Sequence, residues 1–192
     1  MATTDSHRFL TAEEKKIVES KDVHEEETEF YSKDKKLVIG GVTLEESEQK
    51  KYGPFKARSD GDVLYHSVVN ALLSALGDKK ARDIGTLFPN TDKANSNRNS
   101  SDFLKAASEL IQASNYELAD LKVMVKGKPR LDWQLVEKNL LNYFKSQKLT
   151  PDIHVQATSG EEMDGAGKGL GVEVFAVCLL QLKTLDQSKF LA

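Results

Sequence analysis

The feature that most constrains this chain is a segment with both of its ends written into the sequence. Val63 to Leu76 is a long apolar-periodic run, preceded by the small polar residues Ser59-Asp60-Gly61-Asp62 and followed by Gly77. Small polar side chains satisfy the free N–H groups of a first helical turn, and glycine accepts the left-handed backbone that ends a helix. A helix this apolar must lie on other elements, and the flanking sequence offers strands. Leu37 to Leu44, broken by Gly40-Gly41, reads as strand, turn and strand. Leu118 to Lys126 reads as a strand, Asp152 to Thr158 alternates, and Val172 to Leu182 reads as a buried strand. Further helices are expected from Ser100 or Ser101 to about Ser114, and from Trp133 to Ser146. Strands alternating with helices argue an α/β (α+β sandwich) class, a sheet covered by helices on one side.

The remaining stretches read as connections. Residues 1–15 are polar and expected to be a flexible tail, residues 16–183 form the domain, and 184–192 are a C-terminal tail. Asp22 to Lys36 is dense in charge, the usual signature of a solvated loop. Glu45 to Phe55 reads as a mobile loop, and Asp83 to Asp92 as a turn-rich connection. Ser159 to Gly171 holds five glycines and reads as a loop.

Composition narrows the function classes. A length of 192 residues fits one domain. Net charge is −3, which gives no general reason to expect nucleic-acid binding, so a bound phosphate must be held by local groups. The single cysteine, Cys178, rules out an internal disulfide and sits in an apolar run. No stretch approaches the ~20 apolar residues that span a bilayer, so no membrane partner is expected. The N-terminus lacks the apolar core of a secretory signal. The expected location is the cytoplasm, or a plastid if a transit peptide has been removed.

Three groups of residues could carry chemistry. Asp22-Val23-His24 would place a carboxylate and an imidazole on one face of an extended segment, and both are zinc ligands. Asp-x-His is a weak pattern alone. His66 falls one turn into the expected helix, on a side shared with Val63, Val69 and Leu73, where a lone histidine is more often a satisfied core residue than a ligand. The glycine-rich loop could bring backbone N–H groups close to an anion, with Lys168 adding charge. It lacks the spacing of a Walker loop or a dinucleotide fingerprint.

Taken in order, the motifs form a more specific set. Ile39-Gly40-Gly41-Val42, then Ser59-Asp60-Gly61-Asp62-Val63-x-x-His66, then Asp83-Ile84-Gly85-x-Leu87-Phe88-Pro89-x-Thr91-Asp92 resemble the 2-C-methyl-D-erythritol 2,4-cyclodiphosphate synthase family. Pro129-Arg130-Leu131 and Ala157-Thr158-Ser159-x-Glu161 resemble its later segments. The resemblance implies cyclisation of 4-diphosphocytidyl-2-C-methyl-D-erythritol 2-phosphate with release of CMP, by a homotrimer whose sheets pack around its axis and whose sites lie between subunits. It implies a zinc ion on Asp22, His24 and His66, and a second cation, Mg2+ or Mn2+, on Glu161. Ala157, Thr158 and Ser159 would hold the cytidine diphosphate, with Arg130 beside the nucleotide. Asp83 and Gly85 would hold the erythritol moiety.

The chain also departs from that family. No glycines precede Asp22, and a gapless placement puts Glu27 and Glu29 at the ligand positions instead. Arg58 stands where a phosphate-orienting histidine is common, Asn70 and Asn90 stand where the family has aspartate, and Leu170 replaces an acid in the glycine-rich loop, whose arginine is Lys168. A family-fold protein serving as a binding or assembly subunit is the alternative these departures raise.

Overall fold

In the computed structural model, residues 1–20 and 34–183 are described. Four strands form one mixed sheet: β1 (Ala2–Arg8), β4 (Tyr116–Gly127), β5 (Asp152–Thr158) and β6 (Gly171–Leu182), in the order β1-β6-β4-β5. β6 runs antiparallel to β1 and to β4, and β4 runs parallel to β5. The parallel pair needs a crossover, which α6 (Trp133–Ser146) supplies. A separate hairpin joins β2 (Val38–Ile39) to β3 (Val42–Thr43). Its turn residues Gly40 and Gly41 have φ of 62° and 71°, the pair of positive angles a tight hairpin turn demands.

The central helix α3 spans Val63–Leu76, as its flanking residues predict. Asp62 caps it by accepting the N–H groups of Leu64 and Tyr65, and Gly77 ends it at φ 71°. The Asp62 carboxylate also accepts the N–H groups of Gly40 and Gly41, at 2.9 and 2.6 Å, so one buried side chain fastens the hairpin to the helix start. Burial pushes this carboxyl above its ordinary value, against the opposing pull of the Gly41, Tyr65 and Gly40 N–H groups. Small residues let α3 lie close on the sheet. Ser67 donates its hydroxyl to the Val174 carbonyl, and the Cys178 thiol reaches the Ala71 carbonyl. α5 (Ser100–Ala113) and α6 cover the same face of the sheet, closing a core that includes Leu72, Leu104, Leu121, Val136, Leu140 and Val174.

Two expectations are corrected. Residues 1–15 are not a flexible tail: Ala2–Arg8 pair with β6 along their whole length, and α1 (Ala12–Ser20) follows. The strand escapes a hydrophobic pattern because its inward side chains are Thr3, Asp5 and His7; Phe9 and Leu10, just beyond it, are buried. The stretch Glu45 to Phe55 contains a short helix, α2 (Glu46–Tyr52), rather than only loop. Gln49 anchors it by donating to the carbonyls of Leu37 and Leu44 and accepting from the Leu37 N–H. Tyr52 packs on Phe9, with ring centroids 5.0 Å apart. Among the described residues, no helix is long and apolar enough to cross a membrane.

Candidate metal centre and its cleft

A strand returns every second side chain to one face. In β1 this carries Asp5 and His7 inward together, toward the first turn of α3, where His66 N–H donates to the Asp62 carbonyl. The three side chains meet. Asp5, His7 and His66 each offer a ligating atom, all within 4.8 Å of one another. Asp5 Oδ2 lies 3.4 Å from His66 Nδ1 and 3.8 Å from His7 Nε2. The two imidazoles stand nearly perpendicular, centroids 4.9 Å apart, with Phe55 edge-on to His7 and Phe103 beside His66.

Each imidazole spends one nitrogen on the protein and turns the other toward Asp5. His7 Nδ1 donates to the Gly61 carbonyl at 2.8 Å, since a carbonyl can only accept, and this leaves Nε2 with a free lone pair. His66 Nε2 lies 3.0 Å from Ser100 Oγ and 3.2 Å from Ser59 Oγ, leaving Nδ1 on the Asp5 side. Burial pushes the His7 imidazole below its ordinary value, and the nearby His66 adds to this against the pull of Asp5. Burial alone would raise the Asp5 carboxyl. The two imidazoles beside it and the Ser6 N–H outweigh this and hold the group below the ordinary range. A neutral imidazole at His7 and an ionised carboxylate at Asp5 are the ligand forms of these two groups. One carboxylate and two imidazoles, each imidazole with its second nitrogen anchored, are the ligand types and number that an open zinc site uses. These residues fit that metal.

The cluster opens on a cleft of about 360 Å³ lined by His7, Arg58, Ser59, His66, Gly85 and Phe88, among others. Arg58 donates to the Asn90 carbonyl at 2.9 Å, which holds its side chain at the rim. Gly85 belongs to the single-turn helix α4 (Ile84–Leu87), capped by Asp83. Asp83 accepts the Thr86 hydroxyl and N–H, both at 2.7 Å, and these bonds hold its carboxyl below the usual range. Asn70 of α3 accepts the Ile84 N–H at 3.0 Å and so docks α4 against the central helix.

His66, Arg58 and Gly85 are therefore brought together, with Asp83 two residues before Gly85. A second group lies elsewhere on the chain. Ala157 and Thr158 end β5, Ser159 follows, and Glu161 lies in a 3-10 turn at φ 48°, its carboxylate accepting the Ser159 hydroxyl at 2.6 Å. Lys168 is in the glycine-rich loop, and Arg130 follows β4, its N–H donating to Glu48. All six are exposed, and none lines the cleft beside His66. Asp22 and His24, expected as zinc ligands, lie outside the described residues, as do Glu27 and Glu29. Among the described residues, the Asp-x-His pair that meets His66 is Asp5-Ser6-His7, within the stretch expected to be a tail. Its signal was present in the sequence: the same ligand spacing, followed at once by Phe9-Leu10.

Comparison with known proteins agrees with this architecture. The model of the YgbB family matches residues 15–181, a span that includes His66, Arg58 and Glu161 and begins after Asp5 and His7. The 2-C-methyl-D-erythritol 2,4-cyclodiphosphate synthase of the Plasmodium falciparum (isolate 3D7) apicoplast is 33% identical over 185 residues, 92% of this chain and 69% of that one. The synthase of the same name from Hydrogenobaculum sp. (strain Y04AAS1) is 34% identical over 158 residues, 81% of this chain and 94% of that one. A solved structure titled as the Plasmodium falciparum IspF CDP complex superposes with a TM-score of 0.62 at 26% identity, covering 95% of both chains.

Proposed function

Because the chain belongs to the 2-C-methyl-D-erythritol 2,4-cyclodiphosphate synthase (YgbB) family, we propose that it carries out that family's reaction at the Asp5/His7/His66 cleft. The substrate is 4-diphosphocytidyl-2-C-methyl-D-erythritol 2-phosphate. Its 2-phosphate oxygen attacks the β-phosphorus, the bond to the α-phosphate breaks, and CMP leaves with the bonding electron pair. Phosphoryl transfer asks the protein for positioning and charge neutralisation rather than a nucleophile. A zinc ion on Asp5, His7 and His66 would supply Lewis-acid polarisation of a phosphate oxygen when bound. The chain's own groups do the rest. Ser59 offers a hydroxyl at the cleft wall, and Arg58 offers guanidinium donors at its rim. Gly85 leaves room beside them for the erythritol carbons, with Asp83 fixing the turn that carries it.

The second group of residues completes the site from a neighbouring copy. The open face of the sheet carries Phe175, Val177 and Leu179 of β6 and Met124 of β4, with Val177 48% and Leu179 57% exposed, while α3, α5 and α6 pack on the other face. An apolar stripe on an otherwise charged sheet supports burial against further copies of this chain, here as the homotrimer of the family. Assembly would bring Ala157, Thr158 and Ser159 of one copy to the cleft of the next, with Arg130 at the nucleotide. Glu161 would hold the second cation, Mg2+ or Mn2+, an oxygen ligand suiting a hard ion. Lys168 would face the trimer axis. Of the expected compartments, the plastid is the one favoured by a relative's name, that of the apicoplast enzyme.

The departures are absorbed locally. Asn70 retains the acceptor that docks α4, and Asn90 contributes its backbone carbonyl to Arg58. The observation that carries the proposal is the convergence of Asp5, His7 and His66 at the mouth of the cleft. The test is bound zinc per chain together with CMP release in the presence of magnesium. Near-stoichiometric zinc, and release abolished by His66→Ala, are expected. A folded protein with neither zinc nor CMP release would sink the reading and leave a binding or assembly subunit.

A further inference from the structure

Behind His66 stand two groups that do not line its cleft, Ser100 and Asp60. Ser100 opens α5 and is fully buried. Its N–H donates to Asp60 Oδ2 at 3.0 Å, and its hydroxyl makes a short bond to Asp60 Oδ1. A carboxylate has only lone pairs to offer, so the hydroxyl hydrogen of Ser100 is committed to Asp60. What Ser100 Oγ presents to His66 Nε2, 3.0 Å away, is therefore a lone pair. Nε2 must carry the ring hydrogen, and Nδ1 is left bare toward Asp5.

Ser59 cannot make this choice. Its oxygen lies 3.2 Å from Nε2 and accepts the Gly61 N–H, but its own hydroxyl is free to rotate toward the ring or away from it. With Ser59 as the only neighbour, the other tautomer would be open to His66. Its Nδ1 would then carry a hydrogen and could bind no metal. Asp60 is itself held from both sides, its N–H donating to the Arg98 carbonyl and its Oδ1 accepting the Asp62 N–H.

We propose that Asp60 and Ser100 are positioning residues that lock His66 as its Nε2–H tautomer and thereby make Nδ1 a metal ligand. His7 obtains the same result from the Gly61 carbonyl, which has no hydrogen to give. His66 needs the carboxylate because its neighbours are hydroxyls, which can donate or accept. The proposal rests on the metal-centre reading of Asp5, His7 and His66.

The test uses the full chain, stripped of metal, with zinc affinity measured by competition against a chromogenic chelator. Ser100→Ala should weaken zinc binding about 10–100-fold, the usual effect of losing an outer partner of a ligand. Asp60→Asn, whose amide can donate to Ser100 and free the hydroxyl, should weaken it similarly. The double variant should be no weaker than the worse single one, because both act through one bond. Ser100→Thr, which keeps the hydroxyl, should restore most of the affinity. Asn99→Ala removes the α5 cap on Ser101 N–H, so it should lower the melting temperature and leave zinc affinity unchanged.

Imidazole nitrogen shifts in the metal-free parent give a readout independent of zinc and of any variant's folding. An Nε2–H pattern for His66 supports the lock, and an Nδ1–H pattern overturns it. A folded Ser100→Ala variant that binds zinc within about twofold of the parent also overturns it. If the parent takes up no zinc at all, the metal-centre reading fails and the lock fails with it. If the parent binds zinc and only the variants match it, the lock alone fails.

Discussion

Asp5 and His7 reach the same point because they are two residues apart on a strand, and His66 reaches it because Asp62 starts a helix four residues earlier. Two consequences belong to these side chains. If Asp5 and His7 hold the metal, His7→Ala should remove stoichiometric zinc while His24→Ala retains it. The reverse result would return the ligand role to Asp22 and His24. The second consequence is a pH dependence in the metal-free protein. Burial holds the folded-state imidazole of His7 below the usual value of about 6.5, so the unfolded chain binds the proton more readily. The stability that neutral His7 contributes is complete above that value and drains away as pH falls through and below it. Denaturant midpoints of the apo protein should therefore drop between pH 7.5 and 5.5, and His7→Phe should flatten that step. Asp5 works at a more acid range: its depressed carboxyl contributes stability above its ordinary value, lost on further acidification. An apo protein equally stable at both pH values would show that His7 is not seated as described.

At the scale of elements, β1 decides whether the centre forms, and its seat against β6 is tight. A Cβ added at Gly171 would lie 2.3 Å from the His7 carbonyl oxygen and 2.9 Å from Arg8 Cα, both backbone atoms that cannot step aside singly. Gly171→Ala should push the end of β1 away, costing about 2–3 kcal/mol and displacing His7. A lower melting temperature accompanied by weaker zinc binding is expected; unchanged values of both would mean that β1 is not held there. The same strand explains what the sequence makes legible. α3, α6 and β5 are readable to the residue because caps, glycine and alternation all point one way in them. β1 is hidden because the positions that would normally carry its apolar face hold the polar residues Thr3, Asp5 and His7. α2 is hidden for a different reason: its burial rests on one aromatic ring and the amide of Gln49, too little for a periodic signal. Of the cleft, His66, Arg58 and Gly85 are legible through motif order, whereas Asp5 and His7 are not, because their Asp-x-His sequence lies in a stretch that reads as a tail.

At the scale of the molecule, the proposed site residues of a single chain fall into two groups that do not meet. His7, His66 and Arg58 line one cleft, while Ala157, Thr158, Ser159 and Glu161 are exposed at the end of β5 and outside it. If the proposed site is completed by a neighbouring copy, activity depends on assembly. The proposed interface is the apolar stripe on the open sheet face. Leu179 is 57% exposed there, so exchanging it for glutamate leaves the chain's own core intact. Across an interface between copies, the same exchange would place carboxylates in an apolar seam with no partners, a cost of several kcal/mol per ion. Leu179→Glu should therefore yield folded monomers by sedimentation, with zinc still bound because Asp5, His7 and His66 all come from one chain. CMP release should fall by orders of magnitude, since the neighbour's β5 end no longer reaches the cleft. Adding Val177→Glu should change nothing further once assembly is lost. A monomer that still releases CMP at the parent's rate would place the whole reaction within one chain. In that case the exposed residues at the end of β5 would have no part in binding the nucleotide.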